Sequence, residues 1–244
     1  MRLNLFLARA GRGSRREADQ WIRDGRVTVN GRAPDGMGAP VTPGVDAVAL
    51  DGTPLELPER ERYAAYHKPP GVLVSRRSQG GKPTIFELLG EVARGLMPVG
   101  RLDYESEGLL LLTTDGTLAE ALLHPRSGLV RSYRVWVRPV PAPDILRLLQ
   151  QGAVVEGVPV RPLHVVLEGA DHGRGIVRFD LAEGKKREVR VLAKRAGLDV
   201  ARLLRTRFGP IRLGTQRRGT IRPLTGREIE ALRHAAHAPR ARPR

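Results

Sequence analysis

Residues 99–116 read Val-Gly-Arg-Leu-Asp-Tyr-Glu-Ser-Glu-Gly-Leu-Leu-Leu-Leu-Thr-Thr-Asp-Gly. Four consecutive leucines, Leu109 to Leu112, have no polar face to offer water, so the run must be buried. It is short and bounded by Asp115-Gly116, a turn pair, which fits a central strand better than a helix. Asp103 then sits on the loop leading into a rigid core element, where chemistry is commonly placed. The competing reading is that Asp103 merely caps a turn or a helix end near Ser106.

The pattern continues on both sides of this block. Thr117 to His124 reads as a helix closed by Pro125. Tyr133, Val135 and Val137 then alternate with Arg134, Trp136 and Arg138, the period of a strand. Upstream, Tyr63 to Lys68 reads as a strand, Pro69-Pro70-Gly71 as a turn, and Val72 to Val74 as a resumed strand. Residues 84–89 suggest a short helix. Residues 60–235 together form the expected large domain.

The N-terminal part, residues 1–58, reads differently. Leu3, Phe6, Leu7 and Ala10 recur at helical spacing and Gly11 supplies a stop. Ser14 caps a second helix, with Glu17 completing a capping box. Ala18, Trp21 and Ile22 form its apolar stripe. Arg26-Val27-Thr28-Val29-Asn30-Gly31 reads as a strand into a tight turn. Residues 51–60 contain two prolines and no periodicity, and they read as a linker.

The net charge of +16 and the pI near 11.3 point to a polyanionic partner. The excess sits at both ends. Residues 185–244 hold 18 Lys+Arg against 4 Asp+Glu, and residues 1–33 hold 8 Arg against 3 acids. With no cysteine there is no disulfide and no thiolate-ligated metal. No apolar stretch is long enough to span a membrane, and a cytoplasmic protein is expected. Residues 236–244 read as a disordered basic tail. Gly81-Lys82 is followed by Pro83, so there is no phosphate loop, and no Gly-x-Ser-x-Gly elbow appears. The six histidines are scattered, and no metal site is expected.

The block Gly100-Arg101-Leu102-Asp103 through Gly108, the leucine run, and Thr-Thr-Asp115-Gly116 resembles the signature of pseudouridine synthases of the Rsu type. These bacterial enzymes isomerise one uridine in ribosomal RNA. Asp103 falls on the family's catalytic aspartate. Glu107 stands where many members carry Ser or Thr. The Lys-Pro-x-Gly pattern at Lys68, the Tyr-x-Val strand at Tyr133, the turn Gly184-Lys185-Lys186-Arg187 leading to Val189 and Arg190, and the segment 205–225 match in the same order. About 50 residues of the module 1–58, with Arg2, Gly11, Ser14-Arg15-Arg16, Gly25, Val27, Val29 and Asn30-Gly31 in place, resemble the small RNA-binding domain shared with a ribosomal protein, the S-four-like fold.

The resemblance implies an α+β fold: an S-four-like domain, then a catalytic domain with a mixed, mainly antiparallel sheet and flanking helices. It implies Asp103 as nucleophile, with Tyr133 packed on the base and Arg190 holding Asp103 ionised. Val189, Arg101 and Lys68 complete the implied substrate pocket. Arg2, Ser14, Arg15, Arg16, Arg26, Lys185, Lys186 and Arg187 are the candidate RNA contacts. No cofactor is implied, because the isomerisation is redox-neutral. The implied partner is folded ribosomal RNA, naked or pre-ribosomal, bound by a monomer. The N-terminal module and the Lys-Pro-Pro-Gly segment lie closer to the large-subunit members. A synthase for small-subunit rRNA or tRNA would share the chemistry. A noncatalytic rRNA-binding or assembly factor fits the basic ends equally well but has no use for the Asp103 block.

Overall fold

The computed structural model describes residues 1–237 except 156, 183 and 186. Lys186 and residues 238–244 of the expected tail lie outside the described residues. Ala236 and His237 of that tail belong to the last helix. The chain divides into two compact units. One comprises Met1–Arg62, Phe86–Met97 and Thr113–Asp115. The other holds Tyr63–Ile85, Pro98–Leu112 and the described residues from Gly116 on.

The first unit opens with α1 (Leu3–Arg9) and α2 (Arg15–Arg23), followed by β1 (Val27–Val29), β2 (Val48–Leu50) and β3 (Thr53–Leu55). The strands form an antiparallel sheet in the order β1-β2-β3. Leu3, Phe6 and Leu7 of α1 pack with Ala18 and Ile22 of α2 and with Val27, Val41, Val48 and Leu55. Both capping-box bonds form: the Ser14 hydroxyl accepts from Glu17 N–H at 3.2 Å, and the Glu17 carboxylate accepts from Ser14 N–H at 2.8 Å. Ser14→Ala is therefore expected to cost about 1 kcal/mol of stability, read as a shift in the denaturant midpoint.

Two expectations are corrected here. Residues 51–60 are not a free linker, because β3 lies inside them. Asp51 and Gly52 both have positive φ and turn the chain from β2 into β3. Pro54 is tolerated because β3 is an edge strand, where a missing N–H breaks no ladder. The unit also runs past residue 58, because Arg62 is tied to the later segments. Its backbone N–H donates to Thr114 Oγ1 at 2.8 Å and its guanidinium donates to the carbonyls of Val92 and Arg94.

The chain continues through β4 (Tyr63–Lys68), α3 (Ile85–Leu89), β5 (Met97–Val99), β6 (Glu107–Thr113), α4 (Gly116–Leu123), β7 (Arg131–Arg138) and α5 (Pro143–Gln151). The hairpin β8 (Ala153–Val155) and β9 (Val158–Val160) follows. Then come β10 (His164–Asp171), β11 (Arg174–Leu181), α6 (Glu188–Arg195), β12 (Asp199–Phe208), β13 (Ile211–Arg212), β14 (Ile221–Pro223) and α7 (Gly226–His237). Among the described residues nine strands form one sheet in the order β10-β11-β7-β12-β6-β4-β14, with β13 on β12 and β5 on β6. The pairing of β12 with β6 is parallel, while the other registered pairs are antiparallel. The expected α+β architecture is thus present.

Strand β6 lies inside this order, and its four leucines are all buried. Both its faces are covered, which is why the sequence shows a run rather than an alternation. Strand β7 does alternate. Tyr133, Val135 and Val137 are buried, in register with Phe179 and Val177 of β11 and with Leu203 and Arg205 of β12. Val72 to Val74 do not form a strand. Leu73 makes only an isolated bridge to Thr84, bonding Pro83 O and Ile85 N, and Pro83 has no N–H with which to extend a ladder. Gly116 opens α4 instead of closing a turn.

Candidate active site

Asp103 lies on the loop between β5 and β6, on the wall of a cleft of about 520 Å³. That volume falls within the roughly 300–1,000 Å³ common for small-molecule sites. Arg101, Tyr104, Tyr133, Val189, Arg187 and Arg205 share the lining. The loop is held at its backbone. Ser106 N–H donates to Asp103 O at 3.0 Å, and Gly71 N–H donates to Tyr104 O at 2.8 Å. A third anchor comes from below. Lys68 Nζ donates to the carbonyls of Pro69, Tyr104 and Ser106 at 2.9, 3.3 and 2.7 Å.

Lys68 was expected in the substrate pocket, and it is not among the lining residues. It is 0% exposed and sits beneath the Asp103 loop. All six residues of β4 are buried, so the side chain has no route to solvent and uses its three donors on carbonyls. Burial, with a smaller contribution from the charge of Arg205, pushes the Lys68 ammonium down to about 8 against the opposing fields of Asp103 and Glu107.

The sign of the resulting pH effect follows from linkage. Between about 8 and the ordinary 10.5, the unfolded chain holds a proton on Lys68 that the folded chain has released. Stability from this group therefore rises with pH across that window, because the cost of a buried charge disappears. The slope approaches at most about 1.4 kcal/mol per pH unit. Denaturant midpoints measured from pH 7.5 to 10.5 for the native chain, referenced to Lys68→Met, are expected to show this rise. A flat difference would contradict it.

Tyr133 is buried on the cleft wall. Arg205 is its direct neighbour on β12 and is 2% exposed. Its Nε donates to Leu109 O at 2.7 Å and Nη1 to Arg101 O at 3.4 Å, while Nη2 has no hydrogen-bond partner. The guanidinium thus ties β12 to the start of β6 and to the turn before Asp103. Gly108 makes this approach possible. It pairs with Arg205 at φ +112°, and a Cβ there would lie 2.6 Å from Arg205 N and closer still to Arg205 O. Sequence reading gave Arg205 no role. The available signal was its phase: it shares a strand face with Leu203, and a charge on a core face calls for partners. Glu107, where the sequence departs from the family pattern, is buried and ion-paired to Arg202 and to Arg218.

Further lining comes from the turn before α6. Val189 lines the cleft and is buried with Leu192 and Ala193, the packing face of α6. Arg187 has φ +54°, a left-handed conformation unusual for a side chain with Cβ, and lines the cleft. Lys185 lines it too, while its Nζ donates to Pro159 O at 3.1 Å. Arg131 was not singled out from the sequence. It stacks over Phe208 with 4.9 Å to the ring centroid and donates to Leu129 O and Ala182 O beside Gly184.

The ion pair expected between Arg190 and Asp103 is replaced by another. Arg190 Nη1 lies 3.6 Å from Glu105, and Arg187 Nη2 lies 3.8 Å from the same carboxylate. Glu105 is two residues beyond Asp103 on the anchored loop, and its longer side chain reaches these guanidinium groups. Burial lowers Arg190 from its ordinary value. Glu105 and Asp103 oppose the shift, and Arg187 adds to it. Asp103 therefore sits in the field of both Lys68 and Arg190 without contacting either as an ion pair.

In the first unit Arg2, Arg15 and Arg16 are exposed. Ser14 uses its hydroxyl in the capping box. Arg26 grips Asp51 in a bidentate pair at 2.9 and 2.5 Å, which occupies the guanidinium edge that would otherwise meet phosphate.

A carboxylate on a fixed loop, with Lys68 and Arg190 nearby and an aromatic wall, can bind a flat base and attack it or its sugar. Residues 62–195 match the family described as RNA pseudouridylate synthase, and residues 1–33 match the S4 domain. An uncharacterized RNA pseudouridine synthase of Aquifex aeolicus is 38% identical over 95% of this chain and 93% of its own. Ribosomal large subunit pseudouridine synthase B of Bacillus subtilis is 32% identical over 96% of each. A solved structure described as a pseudouridylate synthase superposes with a TM-score of 0.65 at 27% identity, covering 95% of this chain and 99% of that one. With an S4 domain at its N-terminus and a pseudouridine-synthase fold behind it, the chain belongs to the RNA pseudouridylate synthase family.

Proposed function

We propose that this enzyme converts one uridine of large-subunit ribosomal RNA to pseudouridine with Asp103 as nucleophile. The observation that carries the reading is the placement of Asp103. It stands at the cleft wall on a loop held from beneath by Lys68, close to the adjacent pair Tyr133 and Arg205. The large-subunit preference is supported by the end-to-end similarity to synthase B of Bacillus subtilis.

A uridine stacked in a helix cannot reach such a cleft, so it must be turned out of its stack. Asp103 attacks the uridine. The N1–C1′ bond breaks, the freed uracil turns, and a C5–C1′ bond forms. C5 then gives up its hydrogen as a proton, N1 takes one from solvent, and Asp103 is regenerated. Nothing is oxidised or consumed. Tyr133 supports the base through the turn. Arg2, Arg15 and Arg16 supply backbone contacts, helped by the α2 N-terminus, whose dipole favours phosphate.

Because C5 loses its hydrogen, RNA tritiated at uridine C5 releases label into water on turnover. Large-subunit rRNA transcripts are expected to release label to a plateau of one uridine per molecule. Small-subunit rRNA and tRNA are expected to release none. Equal release from tRNA, or none from large-subunit rRNA, would overturn the substrate assignment.

A further inference from the structure

The loop that carries Asp103 also carries a carboxylate that the isomerisation does not use. Glu105 is exposed, yet it faces Arg187 and Arg190, one helical turn apart at the start of α6. Two guanidinium groups so close repel one another, and Arg190 is largely buried with its Nε lacking a partner. Such a pair needs an anion between its members. We infer that Arg187 and Arg190 form a clamp for an RNA phosphate next to the target uridine, and that Glu105 holds the phosphate's place until RNA arrives.

Three observations support this. The first is looseness. At 3.6 and 3.8 Å the contacts exceed the 2.7–2.9 Å of a good charge-assisted hydrogen bond, so neither arginine has an optimal acceptor. A phosphate offers several oxygens and meets guanidinium in a bidentate way, which a single loop carboxylate does not achieve here. The second is backbone strain. Arg187 is held at φ +54° beside the cleft, and residues in sparse conformations cluster where a side chain must be aimed. The third is anchoring. Lys68 and Gly71 fix the backbone at Tyr104 and Ser106 on either side of Glu105. Glu105 can therefore swing aside without moving Asp103.

Glu105 itself is exposed and both its contacts are long, so the exchange meets little resistance. The device also has a use in a chain of net charge +16. RNA that fails to seat a phosphate in the clamp meets a carboxylate instead, which disfavours random binding more than cognate binding. The inference rests on the pseudouridine synthase reading, since it presumes RNA in this cleft.

The test compares native protein, Glu105→Gln, and Glu105→Gln combined with Arg187→Gln. Binding to a large-subunit rRNA fragment and to an unrelated single-stranded RNA is followed by anisotropy across a salt series. Glu105→Gln is expected to tighten binding of the unrelated RNA about five- to tenfold at low salt, and that of the cognate fragment less. It should also steepen the salt dependence by somewhat under one unit of log Kd per log salt. The second substitution should remove the gain. Unchanged or weaker binding by Glu105→Gln, or a gain that survives loss of Arg187, would overturn the clamp. Tritium release by the native protein is measured on the same fragment. Release without the Glu105 effect contradicts the clamp alone, whereas no release contradicts the enzymatic reading beneath it.

Discussion

Asp103→Asn is expected to lower pseudouridine formation by at least about 10⁴-fold while leaving the fold and RNA binding intact. The amide is isosteric, and the loop depends on backbone bonds from Asp103, Tyr104 and Ser106 rather than on the carboxylate. What disappears is the nucleophile, and no neighbouring group replaces it. Glu105 is engaged with Arg187 and Arg190, and Glu107 is buried against Arg202 and Arg218. Single-turnover tritium release, with RNA affinity and denaturant midpoint measured in parallel, checks this. A loss of less than tenfold would move the chemistry to another residue.

Gly108→Ala is expected to be among the most damaging small substitutions in the catalytic unit. The added methyl would overlap the backbone of Arg205 on the parallel neighbour strand, and φ +112° is outside the range of an L-residue. Strain and overpacking each cost about 1–3 kcal/mol, so a loss of roughly 3–5 kcal/mol is expected. That is a large part of the 5–15 kcal/mol that stabilises a typical domain. The damage should reach activity as well. Pushing β12 from β6 draws the Arg205 guanidinium away from Leu109 O and Arg101 O, and with it the turn before Asp103. Chemical denaturation and activity below the unfolding transition measure the two effects separately. A midpoint within 1 kcal/mol of the native value would show that the strands can part without penalty.

Local pattern was legible in the sequence, and long-range pairing much less so. The leucine run of β6 and the alternation of β7 could be read directly, because periodicity reports which faces are covered. The same reasoning failed at β3, where Pro54 looked like a linker residue and only its edge position makes it acceptable. The expectation of Lys68 in the pocket rests on the Lys-Pro-x-Gly pattern of the resembled family, which says nothing of how deeply the side chain is buried. The unbroken Tyr-Ala-Ala-Tyr before it was the sign that β4 is buried on both faces. Asp103, Tyr133, Val189, Arg101, Lys185 and Arg187 do converge on one cleft. Arg205 and Arg131 join them through strand register and ring stacking, which spacing along the chain does not encode. The pairing of Arg190 with Glu105 depends on how the Asp103 loop is anchored, and that was beyond the reach of sequence.

The most direct measurement is a map of pseudouridine in total rRNA from cells lacking this gene, made by carbodiimide-stop sequencing. The cells are complemented with the native gene or with Asp103→Asn. The expected result is that one site in large-subunit rRNA disappears on deletion, returns with the native gene, and stays absent with Asp103→Asn. A site restored by Asp103→Asn, or an rRNA map unchanged by deletion, would contradict the assignment.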